Sequence, residues 1–134
     1  MRVALIIVAV AAILAGAGAS AALGIEFRTP SGNIGCAGDS TFVRCDIAAT
    51  RTKPPPKPKS CRYDWGYAFR LGQRGRARRI CVSDSTLDAA RILPYGRTQK
   101  FGRRITCTSR RTGLTCRNRD GHGFFLSRAR VRLF

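Results

Sequence analysis

The sequence predicts an all-β domain: a small, disulfide-stapled antiparallel sandwich or barrel of short strands, with little helix. Three observations carry this. Short stretches of alternating apolar and polar residues recur, separated by Gly, Pro, Asn and Asp, as in sandwiches and barrels. Six cysteines (Cys36, Cys45, Cys61, Cys81, Cys107 and Cys116) make an even set, the mark of a disulfide framework in an exported chain. Helical signals are confined to Ser85 to Leu93, with Ser85 as N-cap and Asp88 in the first turn. One or two turns of helix are expected there.

The first 21 residues of the 134 read as a secretory signal. Arg2 forms a positive n-region, Val3 to Leu14 an uncharged apolar run, and Ala15 to Ala21 a small-residue end. Cleavage is expected between residues 19 and 22, since Ala17-Gly18-Ala19 and Ala19-Ser20-Ala21 both fit the A-x-A rule. An uncleaved anchor is the alternative, because apolar character persists to Leu23. Residues 22–134 form a single domain, long enough for a hydrophobic core that disulfides reinforce. The expected location is secreted, periplasmic or in the cell envelope.

Within the domain, Trp65, Tyr67, Phe69 and Leu71 alternate with small or charged residues. A core strand explains this stripe better than a ligand-stacking platform. Gly72-Gln73-Arg74-Gly75 reads as a turn and Arg76 to Val82 as the returning strand. In the last segment Arg128, Arg130 and Arg132 point one way, and Ala129, Val131 and Leu133 the other. The proline- and lysine-rich residues 51–60 cannot enter a sheet interior and read as a stiff surface loop.

Two segments repeat a pattern. Ile34 precedes Cys36 by two positions, as Ile105 precedes Cys107, and each cysteine is followed by another nine positions on. A C-x8-C spacing suits a hairpin turning at its midpoint, Ser40-Thr41 or Arg111-Thr112. Counting outward from such a turn sets the two cysteines opposite each other at a non-hydrogen-bonded pair. The Cα separation there is about 4.5 Å, within reach of a disulfide. Closing some ten residues is worth about 2–3 kcal/mol in the chain-entropy picture. Cys61 and Cys81 pair by elimination, although a turn at residues 72–75 sets Cys81 opposite Gly66 or Tyr67. Structural zinc lacks support, because no C-x2-C pair is present.

Thr29-Pro30-Ser31-Gly32-Asn33-Ile34-Gly35-Cys36 resembles the opening of a family of uncharacterised exported bacterial proteins, a domain of unknown function. Cys61 to Gly66, Leu93-Pro94-Tyr95-Gly96 and Asn118 to Arg128, with its Gly121-His122-Gly123-Phe124, are similar to later segments of that family. The resemblance implies export and paired cysteines, and brings no activity or catalytic residue.

Chemistry is sparse. His122 is the one histidine and Glu26 the one glutamate. A secreted hydrolase acting on a polyanion through His122 is conceivable, since proton transfer in RNA cleavage uses such pairs. A β-turn with glycines at positive φ explains the same residues more simply. No nucleophile elbow, facing carboxylate pair, metal set or phosphate loop is present, so no catalytic residue, metal or cofactor is assigned. What stands out is charge: +18 overall, with 25 Lys and Arg against 7 acids. Candidate anion-binding groups are Arg74, Arg76, Arg78 and Arg79, and the stripe Arg128, Arg130 and Arg132. The leading expectation is a non-enzymatic, monomeric envelope or secreted module that binds an anionic polymer or membrane surface. A disulfide-stiffened inhibitor or protein-partner module is the third reading.

Overall fold

In the computed structural model residues 24–134 are described, and the secretory signal expected at residues 1–21 lies outside them. Among the described residues, ten strands form two five-stranded antiparallel sheets. The first is a meander of β1 (Ile25–Arg28), β2 (Ile34–Gly38), β3 (Phe42–Ile47), β4 (Ala68–Gly72) and β5 (Arg78–Arg79). The second is a meander of β6 (Thr98–Phe101), β7 (Ile105–Arg110), β8 (Gly113–Asn118), β9 (Gly123–Leu126) and β10 (Val131–Leu133). The sheets pack face to face as a sandwich, not a closed barrel. Phe27 of β1 meets Phe101 of β6, and Phe69 of β4 meets Phe124 of β9, with ring centroids 6.2 and 6.0 Å apart.

The cysteine repeat is the visible part of a duplication of the whole sheet. Cys36 faces Cys45, which faces Phe69; in the second sheet Cys107 faces Cys116, which faces Phe124. Val43 and Leu71 correspond to Leu114 and Leu126 in the same register. Both hairpins turn where their spacing predicts, at residues 39–41 and 111–112. Their disulfides bridge Cα atoms 4.1 and 4.0 Å apart, the short separation of a non-hydrogen-bonded pair. The two bridges then stack between the sheets, with Cys45 Sγ 3.9 Å from Cys116 Sγ and all four cysteines fully buried.

The third bridge, Cys61–Cys81, is also formed. Phe69 pairs with Arg79, so the register runs as the turn at 72–75 requires. Cys81 is reached instead by the incoming loop, whose Asp64 pairs with Val82 in an isolated bridge.

Four sequence expectations are corrected. Ser85 to Leu93 is not helical. Ser85 Oγ does accept a backbone hydrogen bond, from Leu87 N, but the other polar groups of the segment go to neighbouring strands. Thr86 N donates to Asp46 and Thr86 Oγ1 to the Gly35 carbonyl, while Arg28 N donates to Arg91 O and Leu93 N to Arg28 O. Second, the aromatic stripe is shorter than its alternation implies. Phe69 and Leu71 are fully buried, whereas Tyr67 is 45% exposed and Trp65 half-buried. The strand begins only at Ala68, because Gly66 turns the chain at φ 107° against Pro54. Trp65 Nε1 donates to the Pro55 carbonyl at 3.1 Å, so this aromatic side chain holds the proline loop on the surface. Third, the strand predicted from Arg128 begins at Val131. Ser127 closes Arg128-Ala129-Arg130 into a turn, its Oγ accepting from Arg130 N and donating to Arg130 O. The return strand over Arg76 to Val82 is likewise reduced to Arg78–Arg79, with one further bond from Ile80 N to Ala68 O.

The 84–89 loop lies on the outer face of the first sheet, and this fixes Gly35. A Cβ there would overlap the Thr86 carbonyl, whereas at Gly72 the nearest atom would be 3.6 Å away. Gly35→Ala is expected to cost about 2–3 kcal/mol by urea denaturation, and Gly72→Ala less than about 1 kcal/mol. The loop is also tied by Arg44, whose guanidinium bridges buried Asp46 and exposed Asp84 at 2.8 and 2.6 Å. The hydrogen bond from Arg44 holds the Asp84 carboxyl below its ordinary 3.8. A lowered native pKa stabilises above the unfolded value and is lost as pH falls through the native one. The stability difference between wild type and Asp84→Asn should therefore be constant near neutrality and shrink below about pH 4, measured by denaturation across pH 2–6 or so.

A candidate anion-binding face

The duplication is not electrical. Residues 24–90 contain twelve Lys and Arg with six acids, and residues 91–134 contain twelve with only Asp120. That one carboxylate is already engaged, with Arg104 Nη2 at 3.0 Å and Gly75 N at 2.9 Å. These contacts hold it below the ordinary carboxylate range, the Gly75 hydrogen bond contributing most. The other ion pairs among the described residues belong to Arg44.

Acids gather on the opposite side. Glu26, Asp39, Asp84 and Asp88 border a 590 Å³ hollow on the outer face of the first sheet, with Arg44 among them. The outer face of the second sheet carries none. Strand alternation brings Lys100 of β6, Thr106 of β7 and Arg117 of β8 into one cross-strand row, with Thr108 and Thr115 in the next. Together with Arg103, Arg104 and Arg119 from the adjoining turns they line a shallow groove of 370 Å³. Arg117 and Arg132 flank the Phe134 ring at 4.8 and 5.1 Å, which steadies both cations. Short threonines at the floor leave the longer guanidinium and ammonium groups standing above it, an arrangement suited to anionic oxygens.

The sequence candidates divide between the sheets. Arg74, Arg76 and Arg78 are exposed on the β4–β5 hairpin of the first sheet. Arg79 belongs to the fold: it donates to the Gly66 carbonyl and lies over the Phe69 ring, and burial lowers its pKa. Arg128, Arg130 and Arg132 are exposed on the second sheet. Arg132 joins the groove side through Phe134, Arg130 covers Phe125, and Arg128 lines a separate cavity at the far end. Nothing in the sequence unites Lys100, Arg103, Arg104, Arg117 and Arg119, which lie in separate segments. The register does so: 100 pairs with 106 and 106 with 117.

His122 sits in the β8–β9 turn beside this face, with Gly121 at φ 82°. Buried Asn118 organises the turn, its Oδ1 accepting from Asp120 N and His122 N. Its Nδ2 donates across to the carbonyls of Gly72 and Gly75, joining the two sheets. Arg104 adds a bond to the Gln73 carbonyl. The His122 imidazole has no hydrogen-bond partner among the described residues, and Glu26 stands on β1, beside the acidic hollow. The histidine–glutamate pairing is not assembled. A metal has no better footing. The sulfurs of Cys45, Cys107 and Cys116 lie within 4.8 Å of one another, but each is in a disulfide and offers no thiolate.

The model of a family of unknown function, DUF6636, matches residues 4–134, and the chain belongs to that family. No curated protein and no solved structure matches the chain.

Asn118 thus supports both the turn and the sheet-to-sheet tie. Asn118→Ala should cost about 2–3 kcal/mol in urea denaturation, since it removes four part-buried hydrogen bonds to backbone groups at once. His122→Ala should cost under about 0.5 kcal/mol.

Proposed function

We propose that the protein is a non-enzymatic binding module of an oxidising compartment, outside the cytosol, that holds an anionic polymer on the outer face of its second sheet. The observation that carries this is the segregation of charge: twelve cations and one already paired carboxylate in residues 91–134. Arginines spread merely to solubilise would not leave one sheet face without a carboxylate while acids gather on the other. Three disulfides, two of them fully buried, suit a chain that works where thiols are oxidised. The groove is shallow and polar, so affinity comes from displaced counterions rather than from buried apolar area.

Such binding weakens steeply with salt. Retention on immobilised heparin or polyphosphate should fall sharply between roughly 50 and 200 mM NaCl. The triple variant Lys100→Ala, Arg117→Ala, Arg119→Ala should lower the log–log salt slope by about three. The control Lys57→Ala, Lys59→Ala, Arg62→Ala removes the same charge from exposed positions of the proline-loop region, and should leave the slope nearly unchanged. No retention, retention indifferent to salt, or equal effects of the two triples would overturn the proposal.

A further inference from the structure

At the end of the sandwich away from the Asn118 tie lies a cavity of 310 Å³. Four segments remote in sequence wall it: the loop from Thr29 to Asn33, Tyr95, the β7–β8 turn and the Ser127–Ala129 turn. Its charge comes from Arg110, Arg111 and Arg128, and no carboxylate lines it. None of the three arginines is in an ion pair among the described residues.

The walls are held in place before any ligand arrives. Asn33 is buried and its amide is bound at both ends by Ala49, Nδ2 donating to Ala49 O and Oδ1 accepting from Ala49 N, each at 3.0 Å. Buried Thr29 accepts from Ile34 N and donates to Ile34 O. Gly113 is pressed so close to β9 that a Cβ would lie 2.5 Å from the Leu126 carbonyl, which fixes the turn carrying Arg110 and Arg111. The Arg111 guanidinium packs 5.1 Å from the Tyr95 ring centre. The turn carrying Arg128 is anchored by Arg51 N donating to Arg128 O at 2.8 Å.

This combination is selective. Guanidinium forks match a carboxylate or phosphate. The hydroxyls of Ser31 and Thr112 at the rim suit vicinal alcohols, and Ile34, Ala129 and the Tyr95 ring offer apolar surface to C–H groups. The volume is at the small end of ligand sites, which run from about 300 Å³. We infer that this cavity binds the single acidic sugar unit, a uronate or sugar phosphate, at an end of an anionic carbohydrate. The inference rests on the anion-binding reading above and adds to it the substrate class and a second, recessed point of contact.

The test is titration of the 15N-labelled protein with D-glucuronate and glucose 1-phosphate, with glucose and inorganic phosphate as controls. At least one acidic sugar should saturably shift the amides of residues 29–34, 111–113 and 127–129, and bind more tightly than either control. Arg111→Gln with Arg128→Gln, both at exposed side chains, should weaken it by roughly tenfold or more. Arg111→Lys, which keeps the charge but loses the fork, serves if the double variant's spectrum shows disturbed folding. Ser31→Ala with Thr112→Ala should weaken the sugar and leave phosphate unaffected. The Lys100/Arg117/Arg119 triple variant should bind the sugars as wild type does, so failure here is separable from failure of the outer-face reading. No saturable shift, shifts elsewhere, affinity no better than for phosphate alone, or indifference to the arginine variants would overturn the inference.

Discussion

Everything in this fold is arranged around two disulfides lying back to back between its sheets, Cys45 Sγ against Cys116 Sγ at 3.9 Å. Each bridge ties the second and third strands of a five-stranded meander. With all four cysteines inward, strand alternation commits Val43, Leu71, Leu114 and Leu126 inward as well. The outward positions are thereby fixed too, and with them Lys100, Thr106, Arg117 and their neighbours on one surface. A register slip of one residue would bring those cations into the core, so the sulfur pair constrains the charged face as firmly as it does the interior.

The two sheets depart from their common plan where they acquire separate duties. Ile47 pairs with Ile34, but Asn118 stands at the matching position opposite Ile105. That exchange of an apolar side chain for a buried amide costs nothing in unpaired groups, because Asn118 meets both the sister sheet and its own turn. The first sheet is overlaid by the 84–89 loop, which uses its outer face. The second is left bare, and there the cations accumulate. One sheet serves as support and the other as contact surface.

Much of this was legible in the sequence where the information is local. A C-x8-C spacing dictates its own hairpin, so two bridges and two turns follow from counting. Residues 85–93 misled because Ser85 and Asp88 give a genuine local helix start, while the partners that win, Asp46, Gly35 and Arg28, are remote. Tyr67 misled for a similar reason: its alternation with Phe69 is real, but Pro54 against Gly66 ends the strand before it. Arg79 was indistinguishable from Arg78 until the Phe69 ring was seen beneath it. The groove needed cross-strand register to unite clusters that are scattered along the chain, and the end cavity needed four loops at once. Neither has a sequence signature.

The sequential layout of the meanders also bears on how the chain reaches its native state. Neighbouring strands are neighbours in sequence throughout, and two of the disulfides link positions only nine apart. Each half can close its own hairpin and oxidise its own bridge before the sheets dock. The tempting mispairings, Cys45 with Cys116 or with Cys107, join sheets remote in sequence and come within reach only once the sheets have docked. Where each hairpin oxidises first, each sulfur already has its partner by then. A chain assembled in this order needs little help from disulfide isomerisation, although six cysteines permit fifteen pairings.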